Sequence, residues 1–254
     1  MSCEGGNCPY VTRVKISVIV PAFNEEKLLP ASLAGIKAAA VAFARRGWEF
    51  ELLVCDNNST DCTGDLARAA GAAVVFEPFN QIARARNTGA SAATGDWLIF
   101  VDADSHPSAG LFAEVAEQIA SGKCVAGGAT VRLDEKLFSA GVITMLWNAI
   151  SRCGKWPAGS FIFVEAAAFK QIGGFSCELF AGEELEFAKR LKQVARVTRR
   201  RLVILHRHPL MTSARKLKLY SARELLSFFG RAMLNQRVML TDREQAHLWY
   251  DGRR

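Results

Sequence analysis

The feature that most constrains the fold is an alternation of strand-like and helical patterns through the first 105 residues. Apolar, strand-like runs cover 14–20, 50–55, 72–76 and 98–101. Helical patterns follow the first three runs after short polar turns. This alternation predicts a parallel sheet, whose ligands bind beyond the C-terminal ends of the strands. We therefore predict an α/β fold with a mostly parallel central sheet flanked by helices.

Size and cysteine content narrow the class of protein. The chain has 254 residues, 50% of them hydrophobic, which is enough to bury a substantial core as one domain. Its seven cysteines are odd in number and scattered, without a Cys-x-x-Cys pair, and this favours reduced thiols. No apolar run reaches the ~20 residues that span a bilayer, and the N-terminus lacks a signal-peptide pattern. We expect a cytoplasmic protein.

Positive charge is concentrated late in the chain. The formal net charge is +7, and the region from Lys189 through Arg223 carries no acidic residue. Such a region can contact phosphates, an anionic membrane surface or nucleic acid, although a solvated basic face is the commoner explanation. No nucleic-acid module accompanies it, so we expect no nucleic-acid partner. Peripheral contact with the inner face of a membrane, through this region or the apolar stretch 137–150, is a hypothesis.

Two carboxylates follow the fourth strand-like run. Asp102 and Asp104 come directly after Leu98 to Val101. Because strand side chains alternate between faces, both aspartates should leave the sheet on the same side. Paired carboxylates suit Mg²⁺ or Mn²⁺, which complete their coordination with water and substrate phosphates. The alternative is that the aspartates only end the strand and cap the next helix.

Four motifs in a fixed order add specificity. They are Ser17-Val18-Ile19-Val20-Pro21-Ala22-Phe23-Asn24-Glu25, Asp56-Asn57-Asn58-Ser59-Thr60-Asp61, Ala85-Arg86-Asn87-x-Gly89 and Phe100-Val101-Asp102-Ala103-Asp104. Over roughly residues 15 to 220 the chain resembles the family 2 glycosyltransferases of GT-A fold, in particular the small soluble bacterial type. The last motif resembles the Asp-x-Asp motif of that family.

The resemblance implies a single Rossmann-like GT-A domain over residues 14–220. Residues 14–105 would form its nucleotide-binding half and residues 106–220 its acceptor-binding half. Residues 1–13 read as a flexible tail, and 221–254 as a basic helix followed by a tail. Residues 111–119 read as a helix, and 124–133 and 202–205 as strands. Residues 137–150 either pack as a core helix, the expected case, or cover the mouth of the site.

The resemblance also implies a donor, a nucleotide-diphosphate sugar. Pro21 and Phe23 would form an apolar ledge for the base, Asp56 would accept hydrogen bonds from base or ribose, and Arg86 could neutralise phosphate charge. The full nucleotide-sugar set is Pro21, Phe23, Glu25, Asp56, Arg86, Asp102 and Asp104. Mn²⁺ or Mg²⁺ would be held by Asp102 and Asp104, with His208, or less favourably His206, as a third ligand because some relatives supply a late histidine.

A second block resembles the acceptor side of the family. Gly173-Gly174-Phe175 precedes Gly182-Glu183-Glu184. By this resemblance Glu184 stands at the position of the general base, with Glu183 as the nearest substitute. The family usually has Asp there, so the carboxylate of Glu184 is one methylene further from the backbone. The alternative is that these acids only stabilise the first turn of a helix.

These features predict a metal-dependent, inverting glycosyltransferase that moves a single sugar to a hydroxyl acceptor. The acceptor could be a glycan, a lipid-linked sugar or a small molecule. One alternative is a sugar nucleotidyltransferase, although its glycine-rich, Lys-bearing loop is missing after the first strand. Another is a catalytically impaired relative that binds the nucleotide sugar, which the Glu at position 184 would favour.

Overall fold

The computed structural model describes residues 13–134, 138–180 and 182–213. Within these ranges the strands are β1 (Lys15–Ala22), β2 (Glu49–Asp56), β3 (Ala73–Phe76), β4 (Trp97–Val101), β5 (Ser105–His106), β6 (Cys124–Leu133), β7 (Phe161–Glu165) and β8 (Arg201–Thr212). The helices are α1 (Leu29–Ala39), α2 (Val41–Ala44), α3 (Thr63–Ala69), α4 (Ile82–Ala92), α5 (Ala109–Ala120), α6 (Phe138–Gly154), α7 (Ala166–Gln171) and α8 (Glu183–Val197). The predicted tail before Arg13 and the predicted basic helix and tail at 221–254 lie outside the described residues.

One sheet organises the described part of the chain. Its eight strands run in the order β3-β2-β1-β4-β7-β6-β8-β5. The pairs β3–β2, β2–β1, β1–β4 and β6–β8 are parallel, and β4–β7, β7–β6 and β8–β5 are antiparallel. The predicted α/β class and mostly parallel sheet are therefore confirmed.

Helices cover both faces of the sheet because the strand residues alternate. In β1, Ile16, Val18 and Val20 are buried with α1, α2 and α5, whereas Ile19 is buried in a second cluster with α4, α7 and α8. Each face thus buries its own hydrophobic core. The strands between the two cores are held rigidly, and their C-terminal ends form a fixed edge.

The first strand is longer than the sequence pattern predicted. Pro21 was expected to stop it, yet Pro21 and Ala22 continue the parallel pairing with Cys55 and Asp56 of β2. The reason is that β4 pairs with β1 only as far as Ile19. Beyond Ile19 one edge of β1 carries no ladder, and a residue without an N–H group is tolerated there.

The last described strand differs more strongly from its prediction. A strand over 202–205 was expected, but β8 extends to Thr212 through a bulge. Ala129 of β6 pairs with Leu205, and two residues later Val131 pairs with Leu210. Residues 206–209 are therefore accommodated opposite one residue of β6, and pairing resumes beyond them.

Helix α6 is not packed in the core, contrary to the expectation for residues 137–150. Met145 and Leu146 are 70% and 61% exposed, and Ile150 is 42% exposed. The helix is attached by its other side, where the Asn148 side chain hydrogen-bonds with the backbone N–H and C=O of Val131. Among the residues that the structure describes, no helix is long and apolar enough to cross a membrane.

Candidate active site

A cavity of about 380 Å³ opens at the C-terminal ends of β1 and β4. It is lined by Pro21, Ala22, Phe23, Glu25, Asn57, Asn80, Ile82, Arg86, Asp102, Ala103, Asp104, Val131, Trp147, Ala158, Gly159, Ser160, Phe180, Gly182, Glu183, Glu184, Thr212 and Ser213. This is the edge at which parallel α/β sheets bind their ligands. Eight of the ten sequence-predicted site residues line it, and Asp56 and His208 do not.

Asp102 and Asp104 lie in the turn between β4 and β5. Both line the cavity, as predicted, but a turn brings them together and not a continuing strand, because β4 ends at Val101. The turn is fixed by backbone hydrogen bonds from Asp102 N–H to Ser160 and from Ser213 N–H to the Asp104 carbonyl. Ser105 Oγ, 3.4 Å from an Asp104 carboxylate oxygen, also donates to it.

Arg86 lies behind these carboxylates as a buried cation. Only 2% of the residue is exposed. Its guanidinium is 2.7 Å from a carboxylate oxygen of Glu183, 3.3 Å from one of Asp102 and 2.8 Å from the Gly159 carbonyl. Arg86 also lines the cavity, and its predicted contact with substrate phosphate stays a prediction. The guanidinium thus links three parts of the cavity wall: the start of α8, the turn after β4 and the loop before β7.

Glu183 and Glu184 begin helix α8, with different surroundings. Glu183 is buried and paired with Arg86. Glu184 is half-buried in the cavity wall. Burial and the negative charge of Glu183 raise the pKa of Glu184 from 4.5 to about 8, with Asp102 adding to the effect and Arg86 opposing it. One guanidinium thus faces three carboxyl groups, and the raised pKa of Glu184 means that its carboxyl retains a proton near neutrality.

The backbone before α8 requires glycine. Gly182 is the N-cap of the helix and has φ of +70°, in the left-handed region that L side chains rarely adopt. This conformation turns the chain directly into the helix. The two glutamates therefore enter the cavity wall as consecutive residues of the first turn.

Helix α4 holds the glycine-rich turn in place beside Arg86. The Asn87 amide nitrogen donates to the Phe175 carbonyl at 2.9 Å, and Phe175 N–H donates back to the Asn87 side-chain oxygen at 2.9 Å. The Phe175 ring lies 5.2 Å from the Arg86 guanidinium carbon. Two motifs that are far apart in sequence thus contact each other and form one structural unit under the site. They are the motifs at 85–89 and 173–175.

Asp56 lies next to the cavity but is not one of its lining residues. It ends β2 beside Ala22, and its carboxylate accepts a hydrogen bond from Ser59 N–H at 3.0 Å. Its neighbour Asn57 lines the cavity instead. The predicted contact of Asp56 with the base or ribose remains a prediction.

His208 belongs to the bulge of β8 and lies against helix α5. Its Nε2 is 4.0 Å from a carboxylate oxygen of Glu114, and a Cβ on Gly110 would approach its ring to 2.7 Å. His208 therefore does not share the cavity with Asp102 and Asp104. Its predicted role as a metal ligand, like that of His206, stays a prediction that this arrangement does not favour.

Several cavity residues were not predicted as site residues. Asn57 is 3% exposed and stabilises the turn after β3, since its amide nitrogen donates to the Phe79 carbonyl at 2.5 Å. Asn80 and Ser160 also line the cavity, and so do Trp147 of α6 and Thr212 at the end of β8. Asn57 lies within a quoted motif, which is a signal that could have been used. The other contacts depend on tertiary packing.

The donor set at the turn fits a hard divalent cation. Asp102 and Asp104 offer only oxygen atoms at a cavity wall, as Mg²⁺ and Mn²⁺ prefer. Within the described ranges, no group of three or more His, Cys, Asp and Glu side chains could hold a metal ion. A cation bound here would therefore complete its coordination with water or with a ligand in the cavity.

A family model decides the classification. The model for glycosyl transferase family 2 matches residues 17–176, which contain most of β1, all of β4 and most of the cavity wall. The chain belongs to glycosyl transferase family 2.

Individual relatives agree with this family. An uncharacterized glycosyltransferase of Mycobacterium tuberculosis is 36% identical over 107 residues, which cover 42% of this chain and 44% of the relative. The match thus spans less than half the length of that curated protein.

Solved structures agree on the fold. A mannosyltransferase from Pyrobaculum calidifontis, solved with GDP-mannose and Mn²⁺, has a TM-score of 0.66 at 19% identity and covers 90% of this chain and 63% of its own. Glucosyl-3-phosphoglycerate synthase of Mycobacterium tuberculosis, solved with Mn²⁺, UDP and phosphoglyceric acid, has a TM-score of 0.59 at 18% identity, with 91% and 80% covered. This family 2 chain therefore has the GT-A fold of these structures.

Proposed function

We propose that this glycosyltransferase is metal-dependent and transfers a single sugar from a nucleotide-diphosphate sugar to a hydroxyl acceptor with inversion. One observation carries the proposal: a single cavity contains an all-oxygen carboxylate pair and, on another wall, a carboxyl group with a raised pKa. The first can hold a cation and a diphosphate, and the second can take up a proton.

The donor half of the proposal draws on the solved neighbours. The mannosyltransferase was solved with GDP-mannose and Mn²⁺, and the synthase with UDP and Mn²⁺. At this cavity Asp102 and Asp104 would hold Mn²⁺ or Mg²⁺, and the ion would stabilise the negative charge that develops on the departing diphosphate. Pro21 and Phe23 line the same cavity and offer an apolar surface for the base.

We propose a positioning task for Arg86 in addition to the phosphate contact that its sequence motif suggested. Its guanidinium binds Glu183, Asp102 and the Gly159 carbonyl in the cavity wall, where only 2% of the residue is exposed. We assign it to positioning Asp102 and to balancing the negative charge of the carboxyl groups. Contact with the substrate phosphate is not needed for this role.

Glu184 is our candidate for the general base. The acceptor oxygen attacks the anomeric carbon, its proton passes to the Glu184 carboxylate, and the bond between that carbon and the diphosphate oxygen breaks. One displacement inverts the anomeric centre without a covalent sugar intermediate. A base with a pKa near the working pH accepts a proton efficiently and is also partly ionised. Glu183 is less suited, because its carboxylate is already bound to Arg86.

The proposal is tested first by ligand binding. UDP, GDP, dTDP and CDP are added to the wild type with and without Mn²⁺, and the melting temperature is measured. Binding to the folded state raises it by mass action. We expect a metal-dependent increase with at least one nucleotide and its loss in Asp104→Asn, whereas Asp65→Asn, an exposed aspartate on α3, keeps the increase. No increase with any nucleotide would refute the donor site.

Location and domain division are also proposals. We infer a cytoplasmic protein with possible peripheral membrane contact, and a division near residue 105 into donor and acceptor halves. In support, residues before 105 supply Pro21, Phe23 and the two aspartates, whereas the region after it supplies Glu184.

A further inference from the structure

Helix α6 has two faces with different surroundings. Trp147 lines the cavity, Asn148 is hydrogen-bonded to Val131 of β6, and Ser151 is buried and donates to the carbonyl of Trp156 just after the helix. The opposite face is exposed, and its members share apolar character at helical spacing: Met145, Leu146, Ala149, Ile150 and Cys153. Residues at this spacing form one continuous stripe on a helix. We call it the α6 apolar stripe.

A cluster of basic residues adjoins the C-terminal end of the stripe. Lys192 of α8 donates a hydrogen bond to the carbonyl of Gly154, the last residue of α6, at 2.6 Å. Burial and the positive charges of Lys155, Lys189 and Arg196 lower the pKa of Lys192, so these cations are close enough to repel one another. Lys155, Lys189 and Arg196 are exposed. We call the four residues the α8 basic cluster.

The combination of an apolar stripe with adjoining cations favours a membrane over another protein as the partner. The centres of protein–protein interfaces are depleted in lysine and other charged residues. An apolar helical stripe flanked by lysine and arginine is instead characteristic of helices that lie in the interfacial region of anionic membranes. The charge of the cluster is complementary to such a surface.

We propose that the α6 apolar stripe and the α8 basic cluster dock on the surface of an anionic phospholipid membrane. The stripe enters the headgroup region, and the cluster contacts the lipid phosphates. Because Trp147 on the other face of α6 lines the cavity, docking places the cavity at the membrane surface. The acceptor hydroxyl then belongs to a lipid-anchored molecule. This assignment of the acceptor rests on the proposed transferase function, whereas docking does not.

The test measures sedimentation of the full chain with vesicles of phosphatidylcholine alone or mixed with phosphatidylglycerol. We expect binding to the mixed vesicles that weakens as salt is raised, because salt screens surface charge. Leu146→Glu should reduce binding about tenfold or more, since it removes buried apolar area and adds repulsion. Phe76→Glu is the matched control, because Phe76 is 58% exposed on strand β3, and it should bind like the wild type.

A second set of variants tests the charge. Lys155→Ala/Lys189→Ala/Arg196→Ala should weaken binding roughly a hundredfold, at about fivefold for each cation near the surface. The control Lys27→Ala/Arg45→Ala/Arg46→Ala removes three exposed cations elsewhere and should have little effect. Thermal unfolding of each variant verifies that it is folded.

The outcomes separate docking from transfer. Absence of wild-type binding to mixed vesicles, or equal binding by the Leu146 variant and its control, would overturn the docking proposal. Self-association of the wild type that Leu146→Glu abolishes, without vesicle binding, would assign the stripe to a second copy of the chain and also overturn it. The nucleotide-induced increase in melting temperature should persist in all these variants, so failure of the donor site is recognised independently.

Discussion

Two pairs of carboxyl groups face the same cavity, and their surroundings differ. Asp102 and Asp104 lie in a turn after a strand, and both line the cavity. Glu183 and Glu184 begin a helix, where one is locked to Arg86 and the other is left with a raised pKa. The first pair is suited to binding a cation, and the second to handling a proton.

The difference shows that the role of an acid follows from its partners and less from its residue type. Arg86 contacts one member of each pair, Asp102 at 3.3 Å and Glu183 at 2.7 Å. It therefore balances the charge of these two carboxylates, whereas Glu184, with its raised pKa, is our candidate for the group that exchanges protons. The following predictions test this division.

The largest expected effect comes from removing the shared cation. Arg86→Met should lower the free energy of unfolding by about 3–5 kcal/mol, measured by chemical denaturation, because it leaves buried carboxylates uncompensated. The double variant Arg86→Met/Glu183→Met should recover part of this loss. Arg68→Met, which breaks an exposed ion pair on α3, should cost less than about 1 kcal/mol. Additive losses in the double variant would show that Arg86 does not couple the two pairs.

Glu184→Gln should have the next largest effect. Loss of the proposed base should reduce kcat about a thousandfold and leave nucleotide binding intact. Steady-state kinetics and the melting-temperature assay measure the two quantities separately. Glu186→Gln, on the same helix and paired with Arg190, is the matched control and should change kcat by less than about twofold. If Glu183→Gln lowers kcat in a stable protein and Glu184→Gln does not, the two roles are exchanged.

The pH dependence should distinguish Glu184 from the other acids. Since its pKa in the folded protein is about 8, kcat/KM should rise about tenfold per pH unit below that value and then level off. Stability should change in the opposite direction. The pKa of Glu184 in the folded protein lies above its ordinary value of 4.5, so its contribution to stability is fully present below about pH 4.5 and is lost as pH rises towards 8. A Glu184→Gln variant that keeps the same stability slope would contradict this.

The smallest expected effect concerns the start of α8. Gly182→Ala should cost about 1–2 kcal/mol, because alanine is strained at positive φ. Gly47→Ala is a matched control, since Gly47 has φ of +69° and open space around it. Both variants should lose similar stability in denaturant titrations, but only Gly182→Ala should lower kcat by displacing Glu184. Equal kinetics in the two variants would mean that the glutamate position tolerates this change.

Local patterns were sufficient to predict the first half of the sheet. The runs that became β1, β2 and β4 are β-branched or apolar and are separated by helical periodicity, so element type and order followed directly. The same patterns placed Asp102 at the functional edge. Even there a boundary was missed at Pro21, because the tolerance for proline depends on where the neighbouring strand stops pairing.

The second half depends more on tertiary contacts. No local signal shows that Arg86 points into the protein towards Glu183, 97 residues later, and the motif alone suggested a phosphate ligand. The exposure of α6 was also missed, because its composition resembles that of a core helix. His208 was predicted as a metal ligand in the segment after a strand over 202–205, and no local signal showed that this segment bulges from β8 and places His208 against α5.

Because β8 contains a bulge, the number of residues in this strand can change without a change in the shape of the cavity. Pairing stops at Leu205 and resumes at Leu210, and Thr212 at the strand end still reaches the cavity wall. The intervening residues 206–209 are exposed. A change in the number of residues between Leu205 and Leu210 can be absorbed outside the sheet. The segment therefore acts as a spacer of adjustable length, and variation there need not alter what the cavity accepts.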